Sequence, residues 1–247
     1  MLYKDLKPGA LFHLGEFARA WAPDTRVHYM DKSGVRQLCT IEGNRLLWYK
    51  LDDGRAVMMT TGIRTQFNTG NPDGQNANER RHGSPAYLES YAKTYLEGYF
   101  LSCFSLFERN QLATMECETD TPKGYTRKYG PKQRWKTVIT LPSIHDYDTS
   151  ADPQEGSLQD AKNAIYGYDK YSPWMTCDAH GPWLWVLETL GPTDGMKIDR
   201  LFDVHPIIRP KDDANLESET SYLWSMEPKM PELCGNLIDI LRSEALD

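Results

Sequence analysis

The chain has 247 residues, which suits one large domain or a domain with an appendage, and its 40% hydrophobic and 26% charged residues describe a globule, not a disordered or fibrous chain. A net charge of −7 argues against nucleic acid as a partner, since gripping phosphates needs a clustered positive field. The cysteines (Cys39, Cys103, Cys117, Cys177 and Cys234) are odd in number and include no CxxC pair, so neither a disulfide framework nor a zinc ribbon is expected.

The opening MLYKDLKPGA carries no secretory or lipidation signal, and no apolar run reaches the roughly 18 residues of a membrane helix, so cytoplasmic synthesis without membrane insertion is expected. After the Pro8-Gly9 turn, residues 10–17 read as a first strand, followed by an aperiodic excursion over 18–34. Strands are predicted at 35–41, 45–51 and 55–61, separated by the turn signals Glu42-Gly43-Asn44 and Asp52-Asp53-Gly54, as an antiparallel meander. Residues 62–83, rich in Asn, Gly, Asp and Arg, read as a long exposed loop.

Ser84-Pro85 is expected to open a helix in which Leu88, Tyr91, Ala92, Tyr95, Leu96, Tyr99 and Phe100 form an apolar stripe facing the core. A second helix is expected near 105–115, a strand at 135–141, and short helices at PSIHDYD and SLQDAKNAIYG. The basic stretch KGYTRKYGPKQRWK (123–136) reads as a solvated loop running into that strand. Three late strands, PWMTCD, WLWVLETLG and RLFDVHPII, complete a pattern without βαβ spacing, which favours α+β. Residues 211–247 hold nine acidic and three basic residues and end in a stretch with Leu233, Leu237, Ile240 and Leu241 on one helical face. Residues 1–210 are therefore expected to form one domain, and 211–247 an acidic extension.

Four blocks stand in a telling order: WYKLDDGRAVMMTT (48–61), SYAKTYLEGYF (90–100) continued by Phe104 and Glu108, VITLPSIHDY (138–147), and YSPWMTCDAHGPWLWVLETLG (171–191) with DVHPIIRP (203–210). Together they resemble a bacterial and phage domain of unknown function with a C-type-lectin-like fold. That fold is shared with formylglycine-generating enzymes and the variable proteins of diversity-generating retroelements. The resemblance implies mainly antiparallel sheets, two helices and long loops. It also implies a non-catalytic ligand-binding module in a phage or gut-bacterial setting, virion-associated or recognising a host. The chain departs from the family at Trp174-Met175-Thr176-Cys177-Asp178, where Trp-Leu-Arg-Ser-Pro is usual, and at His205 and Glu97, where Arg and Asn are common.

The residues expected to contact a glycan or protein ligand are Tyr166, Tyr168, Tyr171, Trp174, Asp178, His180 and Trp183, because rigid aromatics with polar tips accumulate on binding loops. The competing reading packs the indoles into the core, where each would bury about 150–250 Å². No cofactor or metal is expected. Cys177 and His180, with His205 nearby, are too few for a held zinc ion, and the calcium-lectin signatures are missing. Two alternatives stay open: an intracellular effector that binds a basic host protein through acidic surface, and an oxidase of the formylglycine-generating type acting through Cys177.

Overall fold

The computed structural model describes residues 2–16, 25–30, 36–41, 45–60, 63–68, 83–122, 124–146, 153–166, 174–178 and 201–216. Its centre is a five-stranded antiparallel sheet in the order β1 (Leu11–Glu16), β4 (Arg45–Lys50), β5 (Ala56–Met58), β11 (Ile207–Ile208), β9 (Ile139–Thr140). β4 and β5 form the hairpin that Asp52-Asp53-Gly54 announces: Leu51 N–H donates to the Arg55 carbonyl at 2.8 Å, and Gly54 has φ +80°. Opposing residues are Trp48 with Phe12 and Met58, and Val57 with Tyr49 and Ile207.

Because side chains alternate along a strand, this sheet is apolar on both faces. Phe12, Leu46, Trp48, Ala56, Met58, Ile139 and Ile208 share one cluster with Ala92, Leu96, Phe100 and Phe104. Leu11, Leu47, Tyr49, Val57 and Ile207 share the other with Leu158, Ala161, Ala164 and Ile165. The first partners come from α1 (Tyr91–Glu97) and the turn after it, the second from α4 (Leu158–Tyr166). Trp48 is fully buried and its Nε1–H donates to the Leu14 carbonyl at 2.6 Å, so the indole carries no unmet donor into the core.

Three two-stranded sheets flank this centre: β2 (Thr25–Met30) with β3 (Arg36–Ile41), β6 (Arg64–Gln66) with β10 (Leu201–Asp203), and β7 (Met115–Asp120) with β8 (Lys132–Thr137), all antiparallel. The described architecture is α+β with antiparallel sheets. It corrects the meander: β3 pairs with β2, inside the supposed excursion, while β4 pairs with β1. The long loop of 62–83 contains β6, and its residues 69–82 lie outside the described ones. Of the late strands, WLWVLETLG lies outside them too, and among the described residues Trp174 makes a single parallel bridge, to Asp203.

The helices also differ. Four α-helical segments are described, where the resemblance implies two: α1, α2 (Leu106–Asn110), α3 (Thr126–Tyr129), which lies in the stretch read as a loop, and α4, while PSIHDYD forms only a 3₁₀ turn at Ile144–Asp146. The cap of α1 is Ser90, whose side chain accepts from Lys93 N–H at 3.1 Å, while Ser84-Pro85 only leads into a 3₁₀ turn at Tyr87–Glu89. The aromatic stripe divides. Ala92, Leu96 and Phe100 are buried, but Tyr91 and Tyr99 are 43% and 56% exposed and form a ladder with Tyr95 between them. The stripe is wider than one face, so only its inner half reaches the sheet. α2 begins with a capping box between Ser105 and Glu108.

One glycine is required outright. Gly156 has φ +82°, and a Cβ there would come within 2.6 Å of Pro8 Cβ and 3.2 Å of Asp52 N. Its N–H donates to the Tyr49 hydroxyl at 3.1 Å and its carbonyl accepts from Asp52 N–H at 3.0 Å, so the loop cannot simply shift. Gly156→Ala is expected to lower the unfolding free energy by about 1–3 kcal/mol, read as a reduced urea midpoint at unchanged slope. A midpoint equal to that of the wild type would show that the turn relaxes freely.

Candidate functional site

The β7–β8 hairpin supplies one wall of the site. In β8, Gln133, Trp135 and Thr137 turn inward while Lys132, Arg134 and Lys136 turn out. Opposite them Glu116 and Glu118 of β7 form ion pairs: Lys136–Glu116 at 2.6 Å, Arg134–Glu118 at 3.2 Å, and Lys132–Glu118. Lys128 of α3 pairs with Glu89 at 2.5 Å. The basic stretch of 123–136 thus meets carboxylates at Lys128, Lys132, Arg134 and Lys136, and these four cations form no open positive field.

Between this hairpin and the central sheet lies a cleft of about 740 Å³, within the usual range of about 300–1,000 Å³ for ligand sites. Arg55, Cys117, Ser143, Asp146, Cys177 and Arg209 line it, drawn from segments far apart in sequence. Arg55 bridges Asp53 at 2.5 Å and Asp146 at 2.9 Å. Arg209 is exposed and makes no ion pair among the described residues. Residues 114–120 all border the cleft, and among the described residues β7 pairs with β8 alone.

The thiols here are held in unreactive form. Burial pushes Cys117 up to about 11, against the pull of Arg55. Burial, reinforced by the adjacent Asp178 carboxylate, raises Cys177 well above the ordinary thiol range. A nucleophilic cysteine needs the opposite setting, electropositive and partly open.

The structure divides the expected contact residues. Trp174 is fully enclosed in the α4-side cluster and stacks on His205 with ring centroids 4.4 Å apart and planes 18° apart. His205 donates from Nδ1 to the Met58 carbonyl at 2.7 Å, and burial lowers its pKa to about 4. Trp174 therefore belongs to the core, with no ring face left for a ligand. Asp178 is also buried; it accepts from the Thr119 hydroxyl and, at 3.1 Å, from Ser143 Oγ, which fixes the floor behind the cleft. Tyr166 is the last residue of α4, with its backbone alone described, and Tyr168, Tyr171, His180 and Trp183 lie outside the described residues.

His205 faces Met58 and Trp174, and among the described residues no group of three or more His, Cys, Asp or Glu side chains could hold a metal ion. No helix among them is long and apolar enough to cross a membrane. Arg55 and Arg209 were not among the expected contact residues. The β7 strand was missed too, although MECETD alternates apolar or small with acidic residues over 115–120, a period-two signal that its charges obscure. No protein family, curated protein or solved structure matches the chain.

Proposed function

We propose that this protein is a non-catalytic binding module that recognises a glycan or a protein, built on a C-type-lectin-like scaffold and working in a phage or gut-bacterial setting, on a virion or in host recognition. The observation that carries the reading is the cleft of about 740 Å³: its walls converge from segments far apart in sequence, yet burial holds its thiols above the ordinary thiol range and Arg55, Lys132 and Asp146 are engaged in ion pairs with their neighbours or across the hairpin. Such a surface suits recognition better than bond making. The antiparallel α+β architecture and the ordered sequence blocks support the scaffold. The guanidinium of Arg209, exposed and without an ion pair among the described residues, offers a paired bond to a carboxylate of either ligand class.

A glycan and host-protein array probed with the purified chain tests this. Binders are expected, and Arg209→Glu should weaken them by about tenfold or more, because it replaces attraction by repulsion at the cleft mouth. Binders unaffected by Arg209→Glu would move the site elsewhere. Turnover of an added peptide thiol, abolished by Cys177→Ser, would replace the binding reading by the oxidase one.

A further inference from the structure

The cleft changes character with depth. Met115, Trp135, Leu141 and Cys177, which line its inner part, are each less than a tenth exposed, whereas Glu116, Glu118, Asp120, Lys132 and Arg209 at its rim stand in water. Trp135 lies across the hairpin from Cys117 and packs on Tyr87 with ring centroids 4.8 Å apart. Its Nε1–H is buried and has no acceptor among the described residues, in contrast to the indole of Trp48. A buried donor left unmet is costly, and an acceptor brought into the inner cleft would remove that cost.

The rim is charged but nearly spent. Glu116 pairs with Lys136 at 2.6 Å, Glu118 with Arg134 at 3.2 Å and with Lys132, and Asp146 with Arg55 at 2.9 Å. Asp120 bonds His145 Nε2 at 3.0 Å. Arg209 has no ion pair among the described residues, so the rim keeps one guanidinium for a ligand. One such fork matches one carboxylate, whereas a chain of phosphates or sulfates would also meet the carboxylates of the rim. A carboxylate offers about four acceptor sites, more than these ion pairs use, so Glu118 and Asp146 can still accept hydroxyl protons. A sugar ring brings several hydroxyl donors to such a rim, where a peptide main chain brings one N–H per residue.

Register sets the distance between the two unmet groups. Ala113 N–H donates to the Arg209 carbonyl at 2.7 Å, and Trp135 pairs with Cys117, four residues further along the same segment. At about 3.3 Å per residue the backbones stand about 13 Å apart, and both side chains border the cleft, which leaves room for one substituted sugar ring between their donors. Building on the binding reading of this cleft, we propose that its ligand is a glycan ending in an N-acetylated sugar acid. The carboxylate pairs with Arg209 and the acetamido carbonyl accepts from Trp135 Nε1–H. The acetamido methyl packs against Leu141 and Cys177, and the ring hydroxyls donate to Glu118 and Asp146.

Isothermal titration calorimetry on the full chain tests this with the methyl glycoside of N-acetylneuraminic acid, its methyl ester, its analogue with a hydroxyl in place of the acetamido group, and N-acetylglutamate. The glycoside is expected to bind, and the ester and the hydroxyl analogue to bind at least about tenfold more weakly. Arg209→Gln should erase the preference for acid over ester, and Trp135→Phe the preference for acetamido over hydroxyl, each leaving the other preference in place. Arg209 is exposed and the Trp135 N–H bonds nothing among the described residues, so neither variant breaks a hydrogen bond of that side chain in the fold. The ligand analogues read the same two contacts on the unaltered chain. A glycoside bound no better than its ester or its hydroxyl analogue overturns the proposal. N-acetylglutamate bound as tightly as the glycoside gives the cleft to a peptide acid and overturns it too. Should the sugar acid fail to bind while another array ligand depends on Arg209, the binding reading stands and this proposal falls; should no array ligand bind at all, both fall.

Discussion

Trp174→Ala is expected to lower the unfolding free energy by about 3–5 kcal/mol, the range for deleting a buried indole and leaving a cavity. The side chain is fully buried, stacks on His205 and sits under α4 among Leu47, Val57 and Ile207. Its loss also frees the imidazole that is bonded to the Met58 carbonyl, so the centre of the sheet loosens with it. Trp174→Phe, which keeps an aromatic plane against His205, should cost less than half as much. Urea unfolding followed by far-UV circular dichroism measures both. A loss below about 1 kcal/mol for the alanine variant would place the ring at the surface after all.

The second large effect is on pH dependence. Burial, aided by nearby Arg45, lowers His13 to about 4, and burial lowers His205 to about 4, from 6.5 for a free imidazole. Above pH 6.5 both rings are neutral whether the chain is folded or not, and the folded state is at full strength. As the pH falls below that value the unfolded chain takes up protons that the native rings refuse until about pH 4. Stability is therefore lost across this window, by something on the order of 3 kcal/mol per histidine, and levels off below it with respect to these two groups. Melting temperatures recorded from pH 7.5 downward should decline, and His205→Phe should flatten about half of the decline while lowering stability at neutral pH, because the Met58 carbonyl then lacks its donor. A profile that is flat down to pH 5 would mean that the buried rings protonate without penalty.

Much of the scaffold is legible in the residues. β1, the β4–β5 hairpin and α4 follow from period-two or helical spacing between strong turn signals, and the structure keeps β1, β4 and α4 within a residue or two while β5 stops at Met58, three residues short of the expected strand. Pairing was less legible: β3 leads through the Glu42-Gly43-Asn44 turn signal into β4 yet bonds β2, because strand partners are set by packing and not by chain order. The Tyr91, Tyr95 and Tyr99 ladder reads as core since spacing of three and four residues describes two adjacent faces as readily as one. The indoles posed a choice that patterns cannot settle, and burial decides Trp174. The cleft was the least visible part. Arg55 and Arg209 are separated by most of the chain, and nothing in either neighbourhood shows that Ile208 lies against Ala56, which brings the two arginines to one opening.

That same contact has a consequence for how the molecule comes into being. Ile207–Ile208 sits inside the sheet, hydrogen-bonded to β5 on one side and β9 on the other, so the middle of the sheet waits for a segment made near the end of synthesis. Until it arrives, Val57 and Thr140 border a gap that no earlier strand fills among the described residues. Assembly of this kind is dominated by non-local closure, which puts refolding in the slow, millisecond-to-second class and exposes unpaired strand edges to a foreign strand until the segment arrives.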